Sequence, residues 1–180
     1  MKPFALSLVA TLLVALGVTA AGCGDGGGGG ELSLEEYFQK VEAVQNEADQ
    51  AEQDAQVLLD EIDPAAPVDE QLATFREFID AEEAALRDAI AGLAELEAPA
   101  EVEDAHSQLV AAGADFVELV GGVADLAADA ESAEDLEQLG AEISESTEAT
   151  EIFDRFEQAC LELEGIAADN GIEVDLNCGE

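Results

Sequence analysis

The chain has 180 residues, enough for a single domain with a buried core. Its 44 acidic residues outnumber the 5 Lys and Arg, which excludes nucleic acid and anionic lipid surfaces as binding partners because both would be repelled. Trp is absent and aromatic residues make up only 4%, so Ala, Leu and Val must form most of the core, and closely packed helices are favoured over a β-sandwich.

The N-terminal segment is organised like an export signal. Lys2 gives a positive end, an uncharged and mostly apolar run extends from Phe4 to Val18, and small residues follow up to Cys23. Glycines then dominate up to the first predicted helix, which is typical of a flexible linker. The predicted divisions of the chain are a signal peptide at 1–22, a lipidated cysteine with a Gly-rich linker at 23–30 and a helical-bundle domain at 31–180.

The run Ala20-Ala21-Gly22-Cys23 resembles the lipobox of bacterial lipoproteins, with Ala20 where Leu is usual. The resemblance implies that the Cys23 thiol receives a diacylglyceryl group and that the chain is cut before Cys23. It also implies that the new N-terminus is acylated, for example with palmitate, which places the protein on the extracytoplasmic side of the cell membrane. The alternative is an uncleaved anchor, since about 19 uncharged residues in a helix span ~28 Å, close to a bilayer core.

The first predicted helix begins after Ser33, a good N-cap with acidic residues in the turn that follows it. Apolar residues then recur at alternating steps of three and four, the spacing of a coiled-coil stripe. The stripe contains Leu34, Tyr37, Val41, Val44, Ala48, Ala51, Ala55, Leu58 and Ile62. Pro64 and Pro67 end the helix, because proline cannot continue the backbone hydrogen-bond ladder.

Two further helices are predicted, one from about Val68 to Glu97 and one from the Pro99 turn to about Ala130. The stripe of the second contains Val68, Leu72, Phe75, Ile79, Leu86, Ala89, Leu93 and Leu96. The stripe of the third contains Val102, His106, Leu109, Ala112, Phe116, Leu119, Val120, Val123 and Leu126. Three glycines of the third helix, Gly113 among them, either weaken it or let a neighbouring helix approach closely.

A fourth helical stretch begins at Ser132, with Asp135 in a capping-box-like position. Its apolar pattern is lost at residues 144–147, where we expect a kink or a break, and the helix stops at Asn170-Gly171. Residues 172–176 alternate apolar and acidic types, so we expect an extended segment. The predicted fold is all-α: an antiparallel up-down four-helix bundle with an extended C-terminal tail that a disulfide pins.

Three cysteines cannot all pair in disulfides within one chain of an exported protein, so one must be left over. If lipidation consumes Cys23, Cys160 and Cys178 remain as a pair in an oxidising compartment. The helix travels ~14 Å beyond Cys160, and the extended return covers up to ~23 Å, so the two sulfurs can meet. We therefore predict a disulfide between Cys160 and Cys178.

Glu103 and His106 form a Glu-x-x-His run, the spacing by which ferritin-like di-iron bundle proteins bind metal. Such a site needs two of these motifs, but His106 is the only histidine, and Glu82 falls ~14 Å away along the bundle axis. We therefore predict no metal site. We expect His106 at the bundle edge, hydrogen-bonded or half-exposed, near the level of Tyr37 and Phe156.

Nucleophilic and phosphate-binding motifs are missing from the sequence. It contains no Gly-x-Ser-x-Gly, and the glycine run at 26–30 is not followed by Lys and Ser or Thr. We therefore predict no catalytic residues, no cofactor and no enzymatic activity.

Three parts of the chain, 32–38, 99–106 and the pair 156–160 with 170–178, together resemble uncharacterised acidic all-helical bacterial lipoproteins. The likeness covers nearly the whole chain after the export segment. It implies a lipid anchor, a helical domain and a terminal cysteine pair, and it implies no activity.

These observations predict a membrane-anchored extracytoplasmic lipoprotein that acts as a non-enzymatic binding or structural module. Its apolar stripes suit packing within the chain or against a helix of a protein partner. The alternative is a cell-surface protein that binds a cation or a small ligand through its many carboxylates.

Overall fold

A computed structural model of the chain describes residues 32–63, 65–176 and 178. Five helices are present in this part of the chain, and it contains no β-strand, so the predicted all-α class is confirmed. The helices are α1 (Leu34–Asp60), α2 (Val68–Ala94), α3 (Glu103–Asp129), α4 (Ala133–Ser144) and α5 (Thr147–Asp169). The predicted signal peptide, Cys23 and the Gly-rich linker lie outside the described residues.

Serine caps begin three of the helices. At α1, Ser33 Oγ accepts a hydrogen bond from the Glu36 backbone N–H at 3.2 Å, and the Glu36 carboxylate accepts one from the Ser33 N–H at 3.0 Å. Ser132 Oγ accepts from the Asp135 N–H in the same way, and Ser146 caps α5. Each cap satisfies an N–H group that has no partner within its helix, so the predicted starts at Ser33 and Ser132 are confirmed.

The helix ends also follow local signals. The expected break at residues 144–147 is present, because α4 stops at Ser144 and α5 begins at Thr147. Gly171 follows the end of α5 with a φ of 72°, in the left-handed region that favours glycine. The end of α2 differs, since the helix stops at Ala94 and not at Glu97. The residue before a proline disfavours the helical conformation, and Pro99 follows this segment.

The buried apolar residues form two clusters. The larger cluster joins the first halves of α1 and α3, the second halves of α2 and α5, and the C-terminal tail. Its buried members are Tyr37, Phe38, Val41, Ile90, Leu93, Val102, Ala105, Leu109, Ala159, Cys160, Leu163, Ala167 and Leu176. The smaller cluster consists of Ala55, Phe78 and Ile79, between α1 and α2. Helix α1 packs on α2, α2 on α3 and α3 on α5, whereas α4 packs on α3 over a short stretch.

Several residues depart from the predicted stripes. Phe38, Phe78 and Ile90 are buried although they lie off the stripes, because a helix that packs on two neighbours buries a wider face than a two-helix seam does. Val68 and Leu126 lie on the stripes but are 51% and 57% exposed. Val68 is the first residue of its helix, and Leu126 lies near the end of α3, where no helix covers it.

Gly113 of α3 and Arg76 of α2 determine how these two helices pack together. A Cβ added at Gly113 would overlap the Ile90 side chain, so this glycine permits the close approach of the two helices. The Arg76 guanidinium of α2 donates to the carbonyl oxygens of Ala127 and Ala130 at 3.1 and 2.6 Å. It thereby satisfies carbonyl groups at the C-terminal end of α3, where the helix dipole favours a cation.

The predicted disulfide between Cys160 and Cys178 is confirmed, with the two Cα atoms 5.5 Å apart. Residues 172–176 have no regular secondary structure, and Leu176 is buried in the larger cluster. The Leu176 backbone N–H donates to the Glu164 carboxylate at 2.8 Å. The tail is therefore part of the core. Within the described residues, no helix is both long and apolar enough to cross a membrane.

Removal of the disulfide should lower the free energy of unfolding by about 3 kcal/mol, because the bond joins residues 18 positions apart. Guanidinium unfolding with and without a reductant measures the change. The Cys160→Ala/Cys178→Ala variant is the control, since it should not respond to the reductant. An unchanged unfolding midpoint of the reduced chain would contradict the prediction.

Candidate functional site

The single histidine lies inside the bundle. His106 on α3 is 8% exposed, and its Nδ1 lies 3.0 Å from the hydroxyl of Tyr37 on α1, which confirms that the two residues share a level. Burial lowers the pKa of His106 and raises that of Tyr37 well above its usual range. A protonated phenol can donate to a neutral imidazole nitrogen, so the pair is a satisfied hydrogen bond within the core.

The Glu-x-x-His run does not assemble into a metal site. His106 points into the core beside Tyr37, whereas Glu103 is exposed at the start of α3. In the part of the chain that the structure describes, no group of three or more His, Cys, Asp or Glu side chains is placed to hold a metal ion.

Carboxylates interrupt the interface between α1 and α2. Glu82 of α2 lies between Ile79 of the smaller cluster and Leu86, which packs on the larger one. The charges of Glu82 and of Asp49 on α1 both act on Glu52 of α1, and all three side chains are half-buried. We refer to Asp49, Glu52 and Glu82 as the acid layer. It lies between the two apolar clusters.

The acid layer titrates unlike ordinary surface carboxylates. Burial raises the pKa of Glu82 to about 6. Burial, together with the neighbouring Glu82 and Asp49 charges, raises the pKa of Glu52 to about 7. Burial also raises the pKa of Asp49. The protonated forms are favoured because a charged carboxylate loses hydration at this interface and is repelled by its neighbours.

A surface groove of about 590 Å³ lies on the other side of the bundle, between the second half of α3, helix α4 and the first half of α5. We refer to it as the α3–α5 groove. Its floor is formed by the apolar side chains of Leu119, Val123, Leu126, Leu139, Ile143 and Ile152. Only Ile152 is buried, and the described residues of α4 include none that is buried. The floor is therefore an apolar surface that α4 covers incompletely.

The rim of the α3–α5 groove is acidic. It carries Asp115, Glu118, Glu142, Glu148 and Glu151. The one basic residue there, Arg155, forms an ion pair of 2.8 Å with Asp115, which links α3 to α5. None of the other four carboxylates forms an ion pair with a described residue. The groove thus combines an apolar floor with a net negative rim.

A second groove, of about 740 Å³, lies between α1 and the C-terminal tail. Its larger apolar residues are Ile172 and Val174, and acidic and amide side chains form most of its remaining walls. Both apolar residues already pack against the larger cluster. Both grooves therefore combine apolar side chains with acidic ones.

Neither the acid layer nor the α3–α5 groove was predicted from the sequence. Glu52 and Asp49 lie off the apolar stripe of α1, and their pairing with Glu82 depends on how two helices align. The groove did have a signal in the sequence. The 12 residues of α4 hold few large apolar side chains, too few to cover the stripe that continues along α3 to Leu126.

Comparisons with protein-family models, with curated proteins and with solved structures found no match for this chain. A function is therefore inferred from the residues and their arrangement alone.

The acid layer should make the protein less stable as the pH rises from 5 to 8. The folded-state pKa values of Glu52 and Glu82 are raised above the ordinary carboxyl value, so protonation stabilises the fold below about pH 4.5 and is lost through pH 6 to 7. We expect the melting temperature to fall by a few degrees, and the Glu52→Gln/Glu82→Gln variant to show a smaller fall. Thermal unfolding followed by circular dichroism measures this.

The matched control is Glu47→Gln/Glu77→Gln, which removes the same two charges from exposed positions on α1 and α2. It should keep the pH dependence of the wild type. If both double variants flatten the profile equally, overall charge and not the acid layer is responsible.

Proposed function

We propose that this chain is a membrane-anchored extracytoplasmic lipoprotein whose helical bundle is a non-enzymatic binding module. The observation that carries the proposal is the α3–α5 groove, an apolar floor left open on the surface of an otherwise strongly acidic domain. Apolar side chains gathered on an exposed surface support an interaction site there.

The anchor rests on the sequence before α1. The lipobox-like run ends at Cys23, and the Gly-rich linker ends a few residues before the Ser33 capping box. Eight linker residues give an r.m.s. reach of roughly 16 Å, enough to hold the domain clear of lipid headgroups. Repulsion between the acidic domain and anionic lipid would keep it there.

The arrangement of the helices fits an up-down bundle. We infer an antiparallel four-helix bundle in which α4 and α5 together take the place of the fourth helix. Successive members, α1, α2, α3 and the α4–α5 pair, then run alternately up and down. Helices that follow each other in sequence pack together, and the larger cluster unites the starts of α1 and α3 with the ends of α2 and α5. Short connections favour antiparallel neighbours.

Binding at the groove has a clear driving force. Leu126 is 57% exposed, and Leu119 and Val123 on the same face of α3 are half-buried. Burial of such surface stabilises a complex by about 25 cal/mol per Å² before the costs of association. A partner that covers this floor would therefore gain free energy without any rearrangement of the larger cluster.

Replacement of Cys23 by Ser should release the domain from the membrane without unfolding it, because the lipid is the proposed attachment. Fractionation of cells into membrane and soluble parts measures the release, and circular dichroism measures the fold. The Cys160→Ala/Cys178→Ala variant is the control, since it loses two cysteines but keeps the anchor. Retention of the Cys23→Ser chain in the membrane fraction would support an uncleaved anchor.

A photoreactive phenylalanine derivative in place of Leu126 should form a covalent adduct with a partner in intact cells, because the floor of the groove is the proposed binding surface. The matched control places the same group at Leu161, which is 47% exposed on α5 outside the groove. Mass spectrometry of the purified chain detects the adduct. Equal labelling at both positions, or none at either, would contradict the proposed binding function.

A further inference from the structure

We propose that the occupant of the α3–α5 groove is a basic amphipathic helix of a partner protein, which lays its apolar face on the floor and its Lys or Arg residues against the acidic rim. This inference rests on the proposed binding function and adds the chemistry of the partner.

The shape of the groove suits a helix. The floor residues Leu119, Val123 and Leu126 recur along α3 at steps of four and three, and Leu139 and Ile143 face the same groove from α4. From Asp115 to Leu126 the lining of α3 extends for ~17 Å, about three helical turns. An amphipathic helix of that length would place side chains at similar steps between the two rows.

The negative charge of the rim favours a partner with positive charge. Five carboxylates stand on the rim, and the guanidinium of Arg155 already pairs with Asp115. A second copy of this chain would bring the same acidic rim, and anionic lipid or nucleic acid would be repelled as well. The long apolar stems of Lys and Arg, in contrast, can extend from the floor to the rim and place their charges beside the carboxylates.

Gly122 gives direct access to this surface. It lines the groove on α3, and a Cβ added to it would meet no atom within 4 Å. A large side chain at this position would therefore project into the groove without a clash inside the bundle. Gly165 on α5 is also free of neighbours within 4 Å but lies outside the groove. The pair provides a blocking variant and its control.

The experiment uses the chain from residue 23 with Cys23→Ser, which retains every described residue. The probe is a synthetic helix of two heptads with Leu on one face and Lys on the other, titrated by calorimetry at about 0.15 M salt, where exposed charges are largely screened. We expect saturable binding of one peptide per chain. Gly122→Leu should weaken it by about tenfold or more, and Gly165→Leu should leave it unchanged.

A second pair of variants tests the rim and does not depend on how Gly122→Leu folds. Glu118→Lys/Glu151→Lys reverses two exposed rim charges, and Glu157→Lys/Glu162→Lys reverses two exposed charges outside the groove. Both change the net charge equally. Only the first pair should weaken binding, again by about tenfold, because the peptide cations meet the rim.

Several results would overturn the proposal. If a groove variant and its control weaken peptide binding equally, the peptide binds the acidic surface in general. Equal affinity for a peptide with Glu in place of Lys would remove the role of the rim, and self-association blocked by Gly122→Leu would identify a second copy as the occupant. If the peptide does not bind but a specific adduct forms at position 126, the proposed binding function is supported and the proposal of a basic partner is wrong.

Discussion

The excess of carboxylates is the constraint on which the rest of this structure depends. With 44 acidic side chains and 5 basic ones, attractive ion pairs between helices are scarce, so apolar packing, helix caps and one disulfide must hold the bundle. Two of the few cations connect one helix to another. Arg76 binds the carbonyl groups that end α3, and Arg155 links α3 to α5 through Asp115. Serine caps and acidic first turns serve the helix starts, where negative charge is favourable.

The same constraint divides the molecule into parts with different chemistry. Where the core closes completely, around Tyr37 and Leu163, even the histidine is buried and neutral. Where carboxylates enter the α1–α2 interface at Glu52 and Glu82, the core splits into two clusters and burial raises the pKa of both carboxyl groups. Where α4 fails to cover α3, an apolar floor remains with acidic walls. The carboxylates at the α1–α2 interface therefore weaken the packing between these two helices.

Local features of this fold were predictable from the sequence, and features that depend on pairing were not. The Ser33 cap, the break after Ser144 and the stop at Gly171 are set by neighbouring residues, and the structure confirms all three. The Cys160–Cys178 bond followed from counting cysteines. The burial of Phe78 and the meeting of Glu52 with Glu82 depend on which faces of two helices meet, which a stripe along one helix does not contain. The α3–α5 groove likewise requires knowing how little of α3 the short α4 covers.

The disulfide that pins the tail has a consequence for where the molecule opens. It joins α5 to Cys178, which packs on the larger cluster, and that cluster also contains Tyr37 in the first turn of α1. We expect amide groups there to exchange with solvent only when most of the core separates, and α4, with no buried residue among those described, to open at lower free energy. Fluctuations in the width of the groove should thereby be separated from the larger cluster, so that α4 can adjust while this cluster stays closed.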